Sequence, residues 1–120
     1  MEPATGRILI VDDDAALLQL MTVYLSRLGY RVDACSTAED GLAMMRAAPS
    51  IYTLALVDWS MPGIGGRELA ERILEHDPSI RLVVVSGYPA QLSGVESLCN
   101  GRVRYLQKPF IPRELVEALK

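Results

Sequence analysis

Three stretches of the chain run apolar without interruption: Ile8-Leu9-Ile10-Val11, Leu54-Ala55-Leu56-Val57 and Leu82-Val83-Val84-Val85. A strand with one wet face alternates apolar and polar residues, so unbroken runs predict strands buried on both faces. Val103-Arg104-Tyr105-Leu106 predicts a further strand. Tyr30-Arg31-Val32-Asp33-Ala34 alternates, which suits an edge or half-exposed position.

Between these runs the apolar spacing changes to that of a helix. Leu17, Met21, Tyr24 and Leu28 recur three or four residues apart, Leu18 and Leu25 widen the stripe, and Gly29 supplies a terminator. Ser36-Thr37-Ala38-Glu39 reads as a capping box that opens a second helix through Leu42 and Met45 towards Pro49. Leu69 and Ile73 mark a third helix, which stops before Pro78, and Pro112 fits the first turn of a last helix carrying Leu115, Val116 and Leu119. Residues 90–101 should hold a fourth helix, but Ser93, Gly94, Ser97 and Asn100 lower its propensity, so a short or mobile helix is expected. Alternating strands and helices imply parallel strands joined by right-handed crossovers, hence an α/β three-layer sandwich.

Composition narrows the function. A chain of 120 residues, half of them apolar, fits one domain with a continuous core. A net charge of -3 and a pI near 5.1 provide no basic surface for a phosphate backbone, so no direct nucleic-acid contact is expected. No apolar run is long enough to cross a bilayer, the opening residues lack the pattern of a secretory signal, and a cytoplasmic location is expected. Cys35 and Cys99 form no C-x-x-C pair and no spaced set with His76 that could hold zinc. Both cysteines read as ordinary small residues, and His76 reads as a plain helix-end residue.

The chemistry-bearing residues follow the strands. In a parallel sheet every carboxyl end lies on one edge, where open α/β folds bind their ligands. The first strand is followed by Asp12-Asp13-Asp14, the third by Asp58, the fourth by Ser86-Gly87, and the fifth by Gln107-Lys108-Pro109. Carboxylates gathered there repel one another unless a cation neutralises them. The candidate ligands are all oxygens, which selects Mg²⁺ or Mn²⁺ over zinc. An aspartate beside such a cation and a lysine suits covalent phosphoryl transfer, with an aspartyl phosphate as product. Taken alone, Asp12-Asp13-Asp14 reads as a helix cap and Asp58 as a turn residue. Their combination favours the site.

Four strings carry a resemblance to a known family: Ile10-Val11-Asp12-Asp13-Asp14, Val57-Asp58-Trp59-Ser60-Met61-Pro62-Gly63, Val85-Ser86-Gly87 and Tyr105-Leu106-Gln107-Lys108-Pro109-Phe110. From about Arg7 onward the chain resembles the response-regulator receiver domains of two-component signalling. The resemblance implies a flavodoxin-like strand order 2-1-3-4-5. It also implies residues 1–6 as an N-terminal extension and a receiver domain over 7–120; so few residues follow Phe110 that a last helix cut short is expected.

By position, the resemblance makes Asp58 the phosphoacceptor. Asp12 and Asp13 become the acidic pair, with Asp13 a direct metal ligand, and Ser60 lends the metal its backbone carbonyl. Ser86 and Lys108 would hold phosphoryl oxygens, Gly87 would leave them space, and the Lys108-Pro109 bond would be cis. Tyr105 would be an aromatic switch that reshapes the surface of the fourth helix, fifth strand and fifth helix, through which a homodimer could also form. Trp59 is placed at the mouth of the site, and Ser60 and Tyr88 beside the phosphoryl group, where they would set its lifetime.

Implied partners are a histidine kinase or a histidine phosphotransfer protein, with Mg²⁺ as cofactor and the chemistry confined to the chain's own aspartate. The wording of the motifs is similar to receivers attached to hybrid sensor kinases, so a larger parent protein is expected. Three other readings compete. An aspartate-nucleophile phosphatase would carry an acid two residues beyond Asp58, where this chain has Ser60. A pseudo-receiver would lack competent site residues, and a flavodoxin-type carrier would not place an acidic loop against a flavin phosphate.

Overall fold

The unbroken apolar runs become the inner strands of one sheet. The structure, a computed structural model, describes residues 6–47, 51–61, 63, 65–87 and 103–119. Its elements are β1 (Arg7–Val11), α1 (Ala15–Arg27), β2 (Arg31–Cys35), α2 (Ala38–Ala47), β3 (Tyr52–Asp58), α3 (Gly65–His76), β4 (Arg81–Ser86), β5 (Val103–Gln107) and α4 (Pro112–Leu119). All strand pairs are parallel and the order is β2-β1-β3-β4-β5, the flavodoxin-like order. The helix expected over 90–101 lies outside the described residues, as do Tyr88 and Cys99, so α4 is the helix opened by Pro112.

Two cores explain the missing polar alternation. Leu9, Val11, Ala55, Val57, Leu82 and Val84 face α2 and α3, where they meet Ala38, Leu42, Met45, Leu69, Ala70 and Ile73. Ile8, Ile10, Leu54, Leu56, Val83 and Val85 face the other way, against Met21 and Leu25 of α1 and Leu115, Ala118 and Leu119 of α4. Each inner strand thus needs apolar residues at every position. The alternating candidate, β2, is indeed an edge strand.

Local signals set the helix ends. Asp14 caps α1 by accepting from the Leu17 amide at 3.1 Å. Gly29, at φ 99°, closes it: its amide donates to the Ser26 carbonyl and the Tyr30 amide to that of Leu25, a paired arrangement that a left-handed glycine permits. The cap of α2 is Thr37 rather than the expected Ser36: Thr37 Oγ1 accepts from the Asp40 amide at 3.1 Å. The box is displaced by one residue because Ala38 is the first residue to turn, which puts the Asp40 amide three beyond Thr37. Pro112 opens α4 as expected, and the Glu114 carboxylate accepts from the Ile111 amide at 2.9 Å.

A polar cluster ties the edge strand β2 to its neighbours. The Tyr52 hydroxyl donates to Asp33 Oδ2 at 2.6 Å, and Arg7 Nε lies 3.1 Å from the same oxygen. Burial raises the Tyr52 phenol above its ordinary range, and the hydrogen bond to Asp33 adds to the effect. Tyr52→Phe is expected to cost about 1 kcal/mol, the net worth of one hydrogen bond, measured as a shift in the urea midpoint.

Cys35 ends β2 in the α2-side core. Burial, with the charges of Asp40 and Asp33, pushes its thiol from 9.0 up to about 11. Between those values the unfolded chain releases the thiol proton while the folded chain keeps it, so stability falls as pH rises through this window. Cys35→Ala should flatten that part of a stability-against-pH curve.

Candidate functional site

Four strand ends deliver the site. Asp12 follows β1, Asp58 is the last residue of β3, Ser86 the last of β4, and Lys108 follows β5. Backbone hydrogen bonds continue past the strands and fix these positions. The Asp12 amide donates to the Cys35 carbonyl at 3.2 Å, that of Trp59 to Val85 at 2.8 Å, and that of Lys108 to Ser86 at 2.9 Å. The Lys108-Pro109 peptide is cis.

Three of the polar groups are almost fully buried. Asp12, Asp58 and Ser86 are 1%, 4% and 0% exposed. Both aspartates form the same local turn, in which Oδ1 accepts the amide two residues on: Asp14 at 2.9 Å for Asp12, and Ser60 at 3.0 Å for Asp58. Their Oδ2 atoms face Lys108. Its Nζ stands 3.1 Å from that of Asp12 and 3.5 Å from that of Asp58. The Asp12 contact is a close ion pair, and the lysine's charge balances this buried Oδ2. Burial acts to lower the Lys108 pKa, but the two carboxylates together outweigh it and hold the ammonium above its ordinary range.

Asp13 is exposed, yet one of its oxygens joins those of Asp12 and Asp58 in a set lying within 4.8 Å of one another. A single cation can touch all three. Hard oxygen donors, two of them on buried carboxylates, fit a hard divalent ion. Gly87, which follows Ser86 at the end of β4, borders open space: a Cβ there would meet nothing within 4 Å.

The other expected residues are placed as follows. The Ser60 side chain is exposed. The Trp59 indole is half-buried and packs on the α2- and α3-side core, while its backbone adjoins Asp58. Tyr105, in register with Val84, is 60% exposed.

One positioning residue escaped the sequence reading. A Cβ on Gly66 would collide with the Asp58 carbonyl oxygen and the Trp59 Cα, so the start of α3 lies directly against the chain at Asp58. The Gly65-Gly66 pair at a helix start was the available signal. Gly66→Ala should cost about 1–3 kcal/mol through overpacking and displace the chain at Trp59, read by chemical denaturation and by the emission of this lone tryptophan.

Fold and acidic edge together define a doubly wound α/β module with a charged cluster at the carboxyl ends of its strands. The family model described as "Response regulator receiver domain" matches residues 8–120, and the chain belongs to this family of two-component signalling domains. The transcriptional regulatory protein ResD of Bacillus subtilis is 34% identical over 114 residues, covering 95% of this chain and 46% of ResD. A receiver domain from Methanospirillum hungatei is 33% identical with a TM-score of 0.83, covering 97% of this chain and 91% of the other. The response regulator TrrA of Thermotoga maritima, solved in complex with Mg(2+)-BeF, is 28% identical with a TM-score of 0.83, over 96% of each chain. The chain spans 30–49% of the length of several curated relatives that it matches.

Proposed function

We propose that the chain is a phosphoryl-accepting receiver in which Asp58 takes the phosphoryl group from a phosphohistidine, on a histidine kinase or a histidine phosphotransfer protein. The observation that carries this reading is the placement of the buried Asp58 carboxylate. One of its oxygens gathers with oxygens of Asp12 and Asp13, and its Oδ2 lies 3.5 Å from the Lys108 ammonium. A lone buried aspartate would be a poor partner for a phosphoryl group, because charge would build up on both. Here the Lys108 ammonium faces it, and the neighbouring carboxylates could hold a cation beside it.

In the proposed step an Asp58 carboxylate oxygen attacks phosphorus. An O–P bond forms as the P–N bond breaks, and the electron pair leaves with the donor imidazole. Asp12, Asp13, Asp58 and the Ser60 carbonyl would hold Mg²⁺, or Mn²⁺, which would offset charge on the transferring oxygens. Lys108 would pair with a second phosphoryl oxygen and the Ser86 hydroxyl would hydrogen-bond a third. Gly87 supports the arrangement, since a Cβ there would meet nothing within 4 Å. Hydrolysis reverses the state: water attacks phosphorus, the O–P bond breaks, and phosphate leaves. Ser60, Tyr88 and Trp59 border this path in the proposal.

Catalysis is thereby confined to the domain's own aspartate. Tyr105, exposed on β5, would carry the change to the surface formed with the fourth and fifth helices of the family pattern, which could also support a homodimer. The relatives are longer than this chain, and residues 7–120 would serve as the receiver part of a larger protein, such as a hybrid sensor kinase or a multidomain response regulator, with 1–6 as an extension. The complex of TrrA with Mg(2+)-BeF supports the same ligand chemistry.

Incubation with acetyl phosphate and Mg²⁺, followed by intact mass measurement, tests the assignment. The wild type should gain one base-labile phosphoryl adduct and Asp58→Asn none. Equal labelling of the two would refute Asp58 as acceptor.

A further inference from the structure

A cavity of about 300 Å³ lies between α2 and α3, towards their carboxyl ends. It is remote from the acidic edge: α3 touches the chain at Asp58 through Gly66 and ends at His76, about 15 Å further along the helix. Each helix lends the cavity three residues spaced i, i+3 and i+4, which share one face: Leu42, Met45 and Arg46 from α2, and Arg72, Glu75 and His76 from α3. Leu42 and Met45 are buried and form its apolar part, whereas the other four are exposed and form its polar part.

Two guanidinium groups and an imidazole thus meet a single carboxylate, in a chain whose net charge is -3. Cations in a last helical turn, such as Arg46 and His76, offset the negative end of the helix dipole. That preference acts on each helix separately and does not account for Arg72, a turn before the end of α3, facing the same space. Arg72 pairs along its own helix with Glu68, but one carboxylate does not exhaust the five N–H donors of a guanidinium. The Arg46 side chain has no ion pair among the described residues.

We propose that this cavity is a ligand site, separate from the acidic edge, for a small organic carboxylate whose head is held by Arg46 and Arg72 and whose apolar body lies on Leu42 and Met45. The planar fork of a guanidinium matches a carboxylate in bidentate fashion. Glu75 on the same rim repels negative charge, which favours a singly charged head over a dianionic phosphate. The volume stands at the lower end of the range for ligand pockets, so the body is a single ring or a short chain.

Nuclear magnetic resonance of the nitrogen-15-labelled whole chain, titrated with benzoate, phenyl phosphate and benzyl alcohol, tests the site. Benzoate should shift the amides of residues 42–46 and 72–76 to saturation. Benzyl alcohol, which keeps the ring and lacks the charge, should bind roughly tenfold more weakly, the scale of a lost charge-assisted hydrogen bond. Arg46→Gln should weaken benzoate by about the same factor, while Glu75→Gln should bind it at least as tightly as wild type. Both side chains are exposed, so neither change should disturb folding. Benzoate shifts that never saturate, that gather at Lys108 instead, or that persist unchanged in Arg46→Gln would overturn the site. Equal weakening by both substitutions would also overturn it, since that points to packing rather than charge. Benzyl alcohol binding as tightly as benzoate, or phenyl phosphate binding more tightly, would overturn the assignment to a carboxylate.

Discussion

Two carboxylates buried at the mouth of an apolar sheet are the constraint to which the rest of this structure answers. Asp12 and Asp58 are almost sealed from water. Burying a charge is tolerable only where it is paired and hydrogen-bonded. The chain meets that requirement locally and at long range. Each aspartate turns its own backbone so that an amide two residues on takes one oxygen, and a lysine from the far end of the sequence covers the other. The local turn is encoded within three residues. The lysine arrives only when β1, β3, β4 and β5 have paired in order.

That dependence connects the hydrophobic pattern to the chemistry. The central strands bury both faces, so their lengths and registers are held from two sides by separate cores. Their carboxyl ends are consequently fixed relative to one another, and three chain segments with no sequence proximity converge with ångström-scale tolerance. Gly66 shows how tight the fit is, since the helix after Asp58 approaches its backbone more closely than any side chain would allow.

Much of this was legible in the residues. The runs beginning at Ile8, Leu54 and Leu82 declare strands with no wet face, and the alternation around Val32 declares an edge. Asp12, Asp58 and Lys108 could be grouped because parallel strands put every carboxyl end on one side. What the sequence left open lies in three dimensions. Whether Ser36 or Thr37 caps α2 depends on which residue first turns, and the two compete on equal chemical terms. The contact of Gly66 with Asp58 depends on the path of the intervening loop. The division of Lys108 between Asp12 and Asp58 depends on tenths of an ångström, which no residue pattern encodes.

The end of β4 has a mechanical consequence. Two adjacent carbonyls, those of Val85 and Ser86, hold the amides of Trp59 and Lys108. One short piece of backbone thus serves as a common pivot for the residue after the aspartate and for the lysine that faces it. Any displacement of Ser86 is geared directly to Lys108 and, through the neighbouring peptide, to the chain just beyond Asp58. The strand tip is thus a shared anchor for both, set by the sheet beneath it.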